Sequence, residues 1–319
     1  MQLTKRHWMA FISLACLSLL LGAKIKGHLE GNAHLGKANP IHLTLNQEKP
    51  DMPQTLPTQT HSNANLWDRF QSISYGTDPK QMLYLAMPDA SNTPEKFPLV
   101  FLVHGGNYLS GSASDDSMQI LASYFLKRGF AVASIDYRTL QQNHWPTPIT
   151  DVQQGIEKAL QLAGDQASDV TYVGYSAGAV TGALLLYSNH FTTPPNIHRF
   201  IGISGLYDKS AVSLDPIEAI RSQSIDHVNL LHIVDEIHDV KTQTPALLIE
   251  GAKDYFADKY PYTNRSHAAQ LQRLLQRHHT PAFTYWVTEP DYNTHEGPIS
   301  LFGLSDPKLN AAIDKFMAI

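Results

Sequence analysis

Cysteine is nearly absent from this chain. Cys16 is the only one in 319 residues, which excludes an intramolecular disulfide framework and any Cys-rich metal site. Charge is scarce as well: Asp, Glu, Lys and Arg make up 17% of the sequence, below the roughly 25% usual for globular proteins, while hydrophobic residues reach 43%. That balance excludes wholesale disorder and long charged tails. An excess of basic residues is also lacking. The 24 Lys and Arg are outnumbered by 29 Asp and Glu, leaving a net charge of -5 and no basic footprint for a phosphate backbone, so no nucleic-acid partner is expected. No internal repeat recurs at a fixed period, which argues against a solenoid.

A long membrane-spanning run is missing too, but a short apolar one opens the chain. Lys5 and Arg6 precede sixteen uncharged, mostly apolar residues from Trp8 to Ala23, the pattern of a basic n-region and an apolar h-region. A bilayer span needs about 17 to 25 apolar residues, and this run contains Ser13 and Ser18, so residues 1–23 read as a signal for export to a periplasm or the outside. Leu21 departs from a small-x-small cleavage site before Ala23, which keeps an uncleaved membrane anchor through residues 8–23 open as the alternative. The residues after Cys16, Leu17 to Leu21, stay hydrophobic, against the polar start of a lipidated mature protein. Residues 24–65 hold no Phe, Trp or Tyr and four prolines, Pro40, Pro50, Pro53 and Pro57. A stretch that buries so little cannot offset its ordering entropy and reads as a linker. Residues 66–319 remain as the folded domain.

From Trp67 onward strand-length apolar runs alternate with helical periodicities. The runs are Gln81 to Met87, Leu99 to Val103, Ala131 to Ile135, Val170 to Val173, Phe200 to Ile203, Ala246 to Ile249 and Phe283 to Val287. Between them lie Met118, Leu121 and Phe125; Ile149, Val152, Ile156 and Leu160; and Leu271, Leu274 and Leu275. Gly129 and Gly164 occupy helix C-cap positions, Pro281 follows the third helix, and Asp306-Pro307 is an N-cap and N1 pair for a last helix through Phe316. The alternation predicts an α/β fold with a mostly parallel sheet covered on both faces, and in such sheets ligands bind beyond the carboxyl ends of the strands.

Chemistry is therefore sought just past the strands. After Val170 to Val173 comes Gly174-Tyr175-Ser176-Ala177-Gly178 and then a small, apolar helix start. A GxSxG string alone is weak evidence, but strand before and helix after make it a nucleophile elbow, with glycines where side chains beside the sharp turn would collide. After Leu99 to Val103, His104-Gly105-Gly106 opens a glycine-rich loop. The backbone N–H groups of Gly105, Gly106 and Ala177 are the candidate donors to the oxyanion that serine attack creates. His104 lies too early in the chain for a base on this architecture and reads as a histidine that holds the loop.

The order expected here is serine, acid, histidine. Past Ala246 to Ile249, Asp254 is the acid candidate, with Glu250 and Asp258 as competitors; past Phe283 to Val287, His295 lies in a loop before the last helix and is the base candidate. His295 would take the Ser176 proton, Asp254 would orient the imidazole, and water would then release the acyl group.

HGGNYLSGS (104–112), IDYRTL (135–140), GYSAG (174–178), GISGLYD (202–208), GAKDYF (251–256) and THEGP (294–298) follow the order found in α/β-hydrolase esterases. Over about residues 80–319 the chain resembles the branch with hormone-sensitive-lipase-like esterases, feruloyl-esterase-like proteins and kynurenine formamidases. The resemblance implies an eight-stranded core, a triad of Ser176, Asp254 and His295, oxyanion donors at Gly105, Gly106 and Ala177, no metal, no organic cofactor and a small-molecule ester as substrate. Two departures stand out: Ala179 where many members have glycine, and Tyr108 near where a tryptophan often follows HGG. An amidohydrolase of the arylformamidase kind or a serine peptidase is the alternative on the same fold, and a non-catalytic binding protein a more distant one. Residues 208–244 are long for a crossover and are expected to contribute helices over the site mouth; their apolar residues suit either a pocket or packing on the sheet. Tyr108, Tyr137, Tyr175 and Tyr207 suit an aromatic substrate or a structural role.

Overall fold

In the computed structural model the described residues are 66–88, 96–207, 240–254 and 266–319. The predicted signal and linker (1–65), Asp258, and residues 208–239 of the predicted site cover lie outside them.

The apolar runs form the strands β2 (Met82–Ala86), β3 (Phe97–Val103), β4 (Ala131–Ile135), β5 (Ala167–Tyr175), β6 (Arg199–Ile203), β7 (Ala246–Gly251) and β8 (Ala282–Val287). The strand that completes the expected eight, β1 (Gln71–Ser74), has no apolar run to mark it: its sequence QSIS offers one apolar residue and its side chains are mostly exposed. The sheet order is β1-β2-β4-β3-β5-β6-β7-β8. β1 pairs with β2 and β2 with β4 antiparallel, and every later pairing is parallel.

Side-chain alternation along β3 divides the core. Leu99, Phe101 and Val103 face one side, with α2 (Thr147–Ala163), α3 (Ala177–Tyr187) and α4 (His267–Arg277), while Val100 and Leu102 face the other, with α1 (Asp116–Leu126), α5 (Gly297–Leu304) and α6 (Pro307–Met317). Both faces are thus covered, which is why the parallel strands read as unbroken apolar runs. Residues at helical spacing make the contacts: Ile149, Val152 and Ile156 of α2, and Leu271, Leu274 and Leu275 of α4, are buried. The termini follow the sequence signals. Gly164 caps α2 at φ 54°, and the Asp306 side chain accepts from Leu309 N at 2.8 Å to start α6. A further helix, α5, stands between the His295 loop and the last helix, so that loop ends at Glu296.

Candidate active site

The parallel strands deliver four segments to one end of the sheet: the loop after β3, the turn after β5, the loop after β7 and the loop after β8. The β5 turn is the sharpest. Ser176 sits at φ 52°, ψ −116°, a conformation that costs a non-glycine residue about 1–3 kcal/mol and persists only when its surroundings enforce it. They do so from three sides. Ser176 N donates to Ile203 O at 2.8 Å, Tyr172 Oη donates to Gly178 O at 2.8 Å, and α3 begins at once with Ala179 N on Ser176 O at 2.9 Å. The glycines are steric necessities. A Cβ at 174 would run into the Gly178 carbonyl, and one at 178 would overlap the carbonyl oxygen of Val103 at the end of β3. The two glycines thus guard different contacts, one within the turn and one between the start of α3 and the end of β3.

His295 Nε2 lies 3.2 Å from Ser176 Oγ, and His295 Nδ1 lies 2.7 Å from Asp254 Oδ2. A carboxylate only accepts, so Nδ1 carries the proton and Nε2 presents its lone pair to the serine hydroxyl. All three side chains are buried, at 4% exposure for Ser176, 2% for Asp254 and 7% for His295, so little water competes for these bonds. The two supporting loops are themselves fastened: Ser204 Oγ donates to His295 O at 2.8 Å, Lys253 N donates to Asn293 O at 2.7 Å, and Asp254 N closes on Gly251 O at 3.1 Å. Glu250 takes a different position. It is buried at the end of β7 and its Oε1 accepts from Gly205 N at 3.1 Å, while Asp254 holds the imidazole.

Opposite the serine, the loop after β3 approaches so closely that a Cβ on Gly105 would stand 2.9 Å from Ser176 Cβ. Among the described residues, the N–H groups of Gly105, Gly106 and Ala177 donate to no protein acceptor. His104 does not join the imidazole chemistry. Its ring is 1% exposed and stacks on Tyr137 at 4.1 Å between centroids; Nδ1 lies 2.7 Å from Gly105 O and Nε2 3.1 Å from Asp136 Oδ1. Tyr137 Oη adds bonds to His104 O (3.1 Å) and Gly105 O (3.2 Å), and Lys80 Nζ reaches Asp136 Oδ2 (3.2 Å) and Gly111 O (3.3 Å). The loop after β3 is thereby held on its outer side by a buried ring pair and a charged pair.

The tyrosines divide. Tyr108, Tyr137 and Tyr207 are buried in the core cluster. Tyr175 is half-buried with its ring 5.6 Å from that of His295; burial, then the charges of Glu296 and Asp254, push its hydroxyl pKa well above the ordinary value and keep it neutral. Two residues near the site escaped the sequence reading: Ser204, which fastens the His295 loop, and Asp136, which anchors His104. A buried polar residue directly after a strand, as in ISG (203–205) and IDY (135–137), was the available signal. Among the described residues no three His, Cys, Asp or Glu side chains gather as a metal-binding group.

Comparison with known proteins finds relatives named as esterases. A family model described as BD-FAE matches residues 83–235. A probable isoprenylcysteine alpha-carbonyl methylesterase of Oryza sativa subsp. japonica is 31% identical over 171 residues, 53% of this chain and 37% of that protein. Gut esterase 1 of Caenorhabditis elegans is 29% identical over 106 residues, 30% of this chain and 19% of that one. The chain thus spans well under half the length of these curated relatives. Esterase B of Lactobacillus rhamnosis superposes with a TM-score of 0.63 at 16% identity, covering 78% of this chain and 84% of that one. A truncated carbohydrate esterase from gut microbiota gives 0.60 at 17% identity over 79% and 96% of the two chains. At such identities the structural likeness concerns the fold.

Proposed function

We propose that this chain, an α/β hydrolase by fold, is a serine hydrolase that cleaves carboxylic esters through an acyl-enzyme. One observation carries the proposal: the buried hydrogen-bonded series Ser176 Oγ, His295 Nε2, His295 Nδ1, Asp254 Oδ2, at 3.2 and 2.7 Å, beside three backbone N–H groups with no protein acceptor among the described residues. The esterase names of the relatives support the same reading.

In the proposed reaction His295 Nε2 takes the hydroxyl proton as Ser176 Oγ attacks the acyl carbon. The former carbonyl oxygen becomes an oxyanion, for which the N–H groups of Ala177, Gly105 and Gly106 are the proposed donors. Asp254 stabilises the imidazolium, which returns its proton to the departing alkoxide, leaving an alcohol and a Ser176 ester. A water then gives its proton to His295 and its oxygen to the acyl carbon. The second intermediate collapses to a carboxylic acid and regenerates the serine. Preorganised donors in a buried site cost nothing to orient at the moment of reaction, so they lower the barrier more than equivalent groups in water.

The test is turnover of p-nitrophenyl esters of increasing acyl length by the purified protein, with an N-formyl aromatic amine alongside, for wild type and Ser176→Ala. The expected outcome is ester hydrolysis that falls on the order of a million-fold in Ser176→Ala. Strong formamide cleavage with weak ester cleavage would move the assignment to an amidohydrolase, and serine-independent turnover would overturn the acyl-enzyme mechanism.

A further inference from the structure

The three candidate oxyanion donors come from two separate parts of the chain. Ala177 N–H rides on the first residue of α3, whereas Gly105 and Gly106 ride on the loop after β3, and useful stabilisation requires that they converge on one point. Something must fix that loop to that helix. The hydroxyl of Tyr108 spans the gap: Oη donates to Ala177 O at 3.0 Å, and Thr181 Oγ1 lies 3.1 Å from both Tyr108 Oη and Ala177 O, its one proton serving either acceptor. Tyr108 and Ala177 are 69 residues apart in sequence, so this contact closes the two halves of the donor set onto each other.

The rest of Tyr108 is arranged to hold the hydroxyl there. Its ring is 4% exposed and meets the edge of Trp145 at 5.7 Å between centroids. Its carbonyl accepts from Leu140 N at 2.8 Å, and Leu109 N and Ser110 N turn back onto Gly106 O at 2.9 and 3.0 Å. Asn107 and Tyr108 are consecutive non-glycine residues at φ 54° and 59°, a left-handed pair that short local bonds alone would not maintain.

We propose, resting on the esterase reading above, that Tyr108 is a positioning residue for the oxyanion site: its hydroxyl, paired with Thr181, locks the Gly105 and Gly106 donors in register with that of Ala177. The hydroxyl never touches substrate. It acts by keeping two N–H vectors convergent, and a misplacement near 1 Å at such a site costs on the order of a hundred-fold in rate.

The experiment compares full-length wild type, Tyr108→Phe, Thr181→Val and Thr181→Ser, each corrected to active sites counted by stoichiometric reaction with an organophosphonate. Tyr108→Phe keeps the ring and removes the bond. Its kcat on a p-nitrophenyl ester is expected to fall by about ten- to a hundred-fold with KM within about two-fold, and its affinity for a trifluoromethyl ketone to weaken by the same factor. The acidic limb of its kcat/KM profile should stay where wild type has it, since the serine–histidine pair is untouched. Thr181→Val should show a smaller loss in the same direction and Thr181→Ser should restore it. A purely structural tyrosine would lower the melting temperature and leave kcat per active site unchanged, and that outcome overturns the proposal. If Tyr108→Phe does not fold, Thr181→Val decides, and a kcat within about two-fold of wild type overturns it. A wild type without Ser176-dependent turnover removes the esterase reading and this inference together, whereas an active wild type with an equally active Tyr108→Phe removes only the inference.

Discussion

Asp254 and Glu250 stand four residues apart at the end of β7, both carboxylates and both buried, yet the fold gives them different work. Asp254 Oδ2 meets His295 Nδ1; Glu250 Oε1 meets the N–H of Gly205. Replacing Asp254 by Asn removes the charge that stabilises an imidazolium and lets the amide favour the wrong tautomer, so kcat should fall on the order of ten-thousand-fold. Glu250→Gln keeps an oxygen for Gly205 N and should leave kcat within about ten-fold of wild type. Steady-state kinetics on the pair checks both, and equal losses would mean that the acid has been assigned to the wrong carboxylate. Ser176 was legible in sequence because the turn it occupies is sterically so demanding that Gly174 and Gly178 record it locally. The latch at Tyr108 was not legible, because a hydroxyl carries no local mark of a partner on another helix, and tyrosine suits a substrate pocket and a core equally well.

At the scale of elements, legibility followed apolar density. The parallel strands are buried on both faces and announced themselves as apolar runs, whereas β1, mostly exposed and with Ile73 as its one apolar side chain against the core, gave no such signal. Helix α5 escaped for the opposite reason: GPISLFGL is apolar nearly all round, so it shows no 3.6-residue period. Position 155, near the middle of α2, separates two effects that local propensity confuses. An interior helix glycine replaced by alanine usually gains about 1 kcal/mol. Here the new methyl would stand 2.7 Å from Ile135 Cγ2 and 3.3 Å from Tyr75 Cε1, against a β4 side chain that is fully buried. Overpacking of a tight core costs about 1–3 kcal/mol and should win, so Gly155→Ala is expected to be less stable in urea unfolding by about 1 kcal/mol or more. A stabilised Gly155→Ala would show that α2 can shift away from the sheet.

At the scale of the whole molecule, five tyrosines among the described residues lie inside one hydrophobic cluster, and that has a consequence for alkaline stability. Burial pushes the hydroxyl pKa values of Tyr108, Tyr137, Tyr172, Tyr187 and Tyr207 well above the ordinary value near 10; neighbouring tyrosines raise Tyr137, Tyr172 and Tyr207 further, as do Asp136 and Asp115 for Tyr137 and Glu250 for Tyr207, while the Thr181 hydrogen bond partly offsets the rise at Tyr108. These groups are protonated in the folded protein and lose their protons from about pH 10 in the unfolded chain. Their contribution is therefore fully present below pH 10 and lost as pH rises toward the folded values. Each such group costs about 1.4 kcal/mol of stability per pH unit above 10, so five together remove about 7 kcal/mol by pH 11. A domain with a typical stability of about 5–15 kcal/mol should then unfold cooperatively between about pH 11 and 12. Following circular dichroism and tyrosinate absorbance together should show part of the tyrosinate signal arriving in one step with loss of structure. A smooth tyrosinate titration near pH 10 with the fold intact would mean that these hydroxyls reach solvent. The layout also explains why sequence served the site better than the fold's edges. Ser176, Asp254, His295, Gly105 and Gly106 all follow strands whose apolar runs are unmistakable, so locating the strands located the candidate site, while what fastens those loops to one another depends on contacts made only after the sheet has closed.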